Sequence, residues 1–156
     1  PERVLMDRPL ECALCHADES VESLTRSMER LWNKSYSRDL LGRLYGDLSA
    51  RPLVATLERG KPHERAIAAA VLGERHEKSA APLIAHELVN EYPLVRAFAE
   101  AALTDAIGKD CGIDVAADVT RIATDARACL ASVGLRDVPW PTRAMPKTTS
   151  DEPPED

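Results

Sequence analysis

The sequence predicts an all-α protein, on three observations. Alanine is abundant and β-branched residues come only in short runs. Aromatic residues make up just 4% of the chain, namely Trp32, Tyr36, Tyr45, Tyr92, Phe98 and Trp140. Apolar residues recur three and four positions apart through most of the chain, which is helical spacing. A chain of 156 residues is one ordinary domain. At that size roughly 68–70% of the unfolded surface is buried on folding, so neither disulfides nor a metal are needed to hold a core. The four cysteines therefore call for another explanation.

Val21, Leu24, Met28 and Leu31 fall at i, i+3, i+7 and i+10, with Asp18 or Ser20 placed to cap the first turn, and predict a helix over 19–33. Asn33-Lys34-Ser35 supplies a turn. Leu40, Leu41, Leu44, Tyr45 and Leu48 then predict a second helix over 36–49.

From Pro52 the chain echoes itself. Pro52-Leu53-Val54-Ala55 aligns with Pro82-Leu83-Ile84-Ala85, thirty residues on. With one residue inserted in the turn, Arg65 through Leu72 aligns with Arg96 through Leu103. Each unit predicts a short helix, a Pro-marked turn (Lys61-Pro62, Tyr92-Pro93) and a longer Ala-rich helix. No unit of about 30 residues can cover its own apolar face, so the two must stack. At these residues the chain resembles the HEAT-like repeats of the phycobilisome-lyase type, whose second helix carries V-R-x-x-A-A-x-x-L; Glu64-Arg65 through Leu72-Gly73 and Val95-Arg96 through Leu103 fit it. The likeness covers 51–108 and implies a short helical-hairpin solenoid. It departs from the family in the turns, where the usual Asp is replaced by Lys61-Pro62-His63-Glu64 and Asn90-Glu91-Tyr92-Pro93.

After Gly108 and Gly112, the stripe Val115, Val119, Ile122, Ala126, Leu130 and Val133 predicts a capping helix over 114–133 within a 109–140 end of the fold. The acidic, Pro-rich stretch 141–156 is expected to be a disordered tail. If 114–133 is one helix, Cys129 lies about 20–25 Å along it from the start, whereas bridged Cα atoms must come within about 7 Å. Cys111 and Cys129 are therefore expected to be unbridged thiols.

Cys12-Ala13-Leu14-Cys15-His16 is the pattern C-x-x-C-H, similar to the haem-attachment site of c-type cytochromes. Two thiols three residues apart can reach the two vinyl groups of one porphyrin edge, and the next imidazole can swing under the iron. With this chain's own Cys and His usage the pattern arises by chance about once in 500 such sequences. The resemblance implies one covalent haem c held by Cys12 and Cys15, His16 as proximal iron ligand, and a haem-binding segment over 1–50. Zinc is a weaker reading, because no second C-x-x-C or H-x₃-H exists to complete four ligands. A redox dithiol normally follows a strand, and none is predicted. Trp32, Tyr36 and Tyr45 lie just after the motif, as haem walls or as ordinary packing residues. For the sixth iron position, Met28 ranks first, although its spacing also makes it core; His76, His63 and His86 follow. Met6 is too near the motif and Met145 lies in the tail.

A net charge of −6 argues against nucleic acid or anionic lipid as a partner. No apolar run reaches the roughly 18 residues of a membrane span, so membrane contact is expected only through a partner. No Gly-rich phosphate loop, H-E-x-x-H or nucleophile elbow occurs, and no enzyme is indicated. The sequence thus predicts a periplasmic or extracytoplasmic electron carrier, with its signal peptide removed, docking through its repeats to a redox partner or respiratory assembly. Two alternatives are a HEAT-like interaction scaffold and a five-coordinate haem sensor of gas or redox state.

Overall fold

Ser20 and Ser37 set the starts of the first two long helices: each side-chain oxygen accepts from the backbone N–H three residues on, of Ser23 and Leu40. The computed structural model describes residues 11–135. Met6, Trp140, Met145 and the expected tail at 141–156 lie outside them. Within that range the chain forms eight α-helices and no strand. They are α1 (Glu11–Cys15), α2 (Val21–Trp32), α3 (Arg38–Tyr45), α4 (Pro52–Arg59), α5 (Pro62–Glu74), α6 (Ala81–Glu87), α7 (Pro93–Ile107) and α8 (Val119–Ser132). The all-α expectation holds over the described residues.

α2 ends where Asn33 turns left-handed at φ 49°. α3 ends at Gly46, φ 79°, four residues short of the expected 36–49 helix. The first N–H groups of α2 are taken by the turn after α3, Val21 donating to the Ala50 carbonyl and Glu22 to that of Leu48. Arg38 closes the other side. Its Nε donates to Glu22 at 2.9 Å and its Nη1 to Glu29 at 2.7 Å. That guanidinium, with the Tyr36 N–H as the second cause, holds the Glu29 carboxyl at about 2, well below its ordinary value.

Proline opens α4, α5 and α7 at positions where the missing N–H is harmless. Buried Glu64 reaches back to accept from the Lys61 N–H, completing the start of α5. α4 pairs with α5 and α6 with α7, and the broadest helix contact is α5 on α7. Small residues govern it. A Cβ on Gly73 would sit 2.7 Å from the Ala102 oxygen and 2.8 Å from its Cα, so the two backbones touch there directly. Ala68, Ala69 and Leu72 meet this face from α5 and Ala99, Leu103 and Ala106 from α7, all buried. One buried carboxylate ties the helix pairs together. Glu87, 1% exposed, accepts from Arg65 Nε and Asn90 Nδ2, both at 2.9 Å, while Arg65 Nη1 donates to the Gly60 carbonyl. A buried carboxylate needs such pairing to offset its lost hydration.

The expected separation of Cys111 from Cys129 is corrected by the structure. The two are joined by a disulfide, with Cα atoms 5.8 Å apart. The reason is where the helix starts. Asp114 accepts from the Ala116 N–H and Asp118 from those of Thr120 and Arg121, so 114–118 is turn and cap, and α8 begins only at Val119. Cys129 then lies about 15 Å along α8, and the nine residues from 111 to 119 are long enough to run back beside it. Lys109 Nζ fixes the same arrangement by donating to Ser132 Oγ at 2.8 Å.

Candidate functional site

Helical spacing alone brings the motif together. Cys12, Cys15 and His16 stand at i, i+3 and i+4, and the His16 N–H still donates to the Cys12 carbonyl at 2.8 Å, so all three share one side of the turn. Ala13 and Ala17 occupy the adjoining side and are buried at 0% and 2%. α1 therefore lies down on its alanines, against α4, and presents Cys15 and His16 to solvent with Cys12 half-buried. Both motif thiols are free. No group of three or more His, Cys, Asp or Glu capable of holding a bare metal ion exists among the described residues.

A contact that sequence reasoning missed anchors the motif from sixty residues away. Arg75, just past α5, donates from Nη2 to the Cys15 carbonyl at 2.7 Å. This carbonyl is one of the orphans at the end of α1, and the cation there also suits the helix dipole. His76 follows directly. It is exposed, adopts φ 54°, and its Nδ1 lies 2.8 Å from the Asp105 carbonyl. Its backbone N–H donates to the Gly73 carbonyl and that of Glu77 to the Leu72 carbonyl. Those two bonds define a left-handed helix termination whose central residue is usually glycine. A signal for it was present in Gly73-Glu74-Arg75-His76-Glu77, where a helix stops with no glycine or asparagine at the stop.

The other candidates are dispersed. Met28 is buried at 4% exposure in the core that includes Val21 and Leu24. His63 is exposed on the first turn of α5, and His86 is half-buried on α6. The three aromatics after the motif have separate surroundings. Tyr45 is fully buried, Tyr36 packs partly against the core, and Trp32 is half-exposed at the far end of α2.

A second feature, unforeseen from sequence, lies on α5 and α7. An apolar groove of about 580 Å³ is lined by His63, Ile67 and Val71 from α5 and by Tyr92, Leu94 and Phe98 around the start of α7. Leu94, Tyr92, Phe98 and Ile67 are all about half-exposed or more. None of its lining residues belongs to α1–α3, and α1 itself packs on α4. Among the described residues no helix is long and apolar enough to cross a membrane. No family model, curated protein or solved structure matches this chain.

Proposed function

We propose that the chain is a monohaem c-type cytochrome working in one-electron transfer outside the cytoplasm. The observation that carries this reading is the shared face of α1, with two free thiols and an exposed imidazole at helical spacing. The donor set suits haem c: Cys12 and Cys15 would hold it by thioethers, and His16 would bind its iron. Once bound, the group supplies reversible one-electron exchange at iron. The protein's part is to fix the motif. Ala13 and Ala17 seat it, and Arg75 clamps its last carbonyl. The Cys111–Cys129 bridge supports a periplasmic or other extracytoplasmic location, since disulfides persist in oxidising compartments.

In this reading 51–108 is a pair of HEAT-like repeats serving as platform. Its support is the repeated order of short helix, proline and long helix. The aligned arginines behave alike as well, Arg65 donating to the Gly60 carbonyl at 3.0 Å and Arg96 to that of Asn90 at 3.4 Å. A redox partner with a basic patch would be steered to a chain of net charge −6, in a salt-sensitive encounter. The apolar groove favours a second reading, an interaction scaffold in which binding a partner is itself the function.

Colour separates the two. Expressed in cells competent for cytochrome c maturation, the chain is expected to show a c-type absorption spectrum and to keep its haem through acid–acetone extraction. Replacing Cys12→Ser together with Cys15→Ser should remove both properties. A colourless wild-type protein overturns the cytochrome and leaves the scaffold.

A further inference from the structure

The geometry points to His76 as a second protein ligand for the haem iron besides His16, an inference that rests on the haem reading above. Three observations converge on this residue. Arg75 Nη2 binds the Cys15 carbonyl at 2.7 Å, so the residue next to His76 is tied to the motif although it is sixty residues away in sequence. His76 is also pre-oriented. With Nδ1 2.8 Å from the Asp105 carbonyl, which only accepts, Nδ1 is the donor of that bond, and Nε2 is the nitrogen left to meet a metal. A backbone carbonyl on the other ring nitrogen is the arrangement that fixes tautomer and raises basicity in metal-bound histidines.

The third observation is the backbone. His76 occupies a left-handed position, φ 54°, at the end of α5, where glycine would sit without the steric cost of a Cβ. A bulky residue held there at a cost of about 1–2 kcal/mol is the kind of local strain that collects at functional sites. The same bend turns the ring out of the helix axis and leaves it exposed. Met28, first in sequence ranking, has the opposite environment. Its thioether is enclosed in the core with Val21 and Leu24, and ligation would require α2 to repack.

The test uses the matured, haem-loaded full chain and its spectrum. Wild type is expected to be low-spin in both oxidation states, with two nitrogen ligands by electron paramagnetic resonance and no methionine-to-iron charge-transfer band. It should bind carbon monoxide poorly. His76→Ala should become high-spin and bind carbon monoxide readily while keeping wild-type helicity, and added imidazole should restore the low-spin spectrum. His76→Gly, which relieves the backbone, should be thermally at least as stable as wild type yet spectrally identical to the alanine variant. A high-spin wild type, a His76→Ala spectrum unchanged from wild type, or loss of low-spin character in Met28→Leu overturns the assignment while leaving covalent haem in place. Absence of covalent haem in the wild type overturns the haem reading itself.

Discussion

The two cysteine pairs of this chain sit in opposite surroundings. Cys12 and Cys15 are three residues apart on one turn of α1 and remain free. Cys111 and Cys129 are eighteen apart and bridged, one on a loop and the other buried on α8. The difference is not one of proximity in sequence. A helical turn points i and i+3 the same way, outward and side by side, which suits two bonds to one flat partner. A loop folded back along a helix points its residue at the helix, which suits a bond between the two. One pair is left as free thiols near the surface and the other fastens structure, and both stand on the α4–α7 helices.

Breaking the platform should have the largest effect, because it removes the support of both pairs at once. Gly73→Leu forces a side chain into the Ala102 backbone, where even a Cβ would lie 2.7 Å from its oxygen. A cost of about 3 kcal/mol or more is expected, read as a large fall in the urea midpoint. A midpoint within experimental error of wild type would show that the helices do not approach as described.

Removing the fastener comes next. Cys111→Ser with Cys129→Ser should cost about 3 kcal/mol for a loop of this length, whereas Cys12→Ser with Cys15→Ser should cost the folded haem-free chain about 1 kcal/mol or less. Mass spectrometry after alkylation of the unfolded, unreduced chain sharpens the contrast. Two labels are expected on the haem-free protein and none on the haem-loaded one; four labels would refute the bridge.

The smallest effect belongs to the exposed ion cluster that joins α2 to α3. Arg38 holds the Glu29 carboxyl at about 2, below its ordinary 4.5, so this pairing adds stability that is full above about pH 4.5 and fades as pH falls towards 2. Arg38→Met should lower the urea midpoint slightly at pH 7 and flatten its acid dependence between those values. Parallel profiles for wild type and variant would remove Arg38 as the cause. Solvent screening keeps the difference small.

Much of the fold was legible because its signals are local. Prolines mark the starts of α4, α5 and α7, serines cap α2 and α3, and apolar spacing names Val21, Leu24 and Met28 as core. The bridge was misread through one local error with a long-range result. The stripe from Val115 to Val133 looked like a single helix, but Asp114 and Asp118 bind their own following N–H groups and delay it to Val119. Leu31 fits the apolar spacing of α2 and yet is 74% exposed, because the last turn of that helix extends beyond what covers it. Of the candidate site, the motif was legible and its setting was not. The bonds from Arg75 to Cys15 and from His76 to Asp105 span 60 and 29 residues, and no periodicity encodes them.

The described part of α1 runs from Glu11 to Cys15. Its order is borrowed from two alanines and one guanidinium. Its amides are expected to exchange with solvent sooner than those of α5 and α7, whose shared face is buried. On the haem reading proposed above, the motif would then be reachable in an otherwise folded protein.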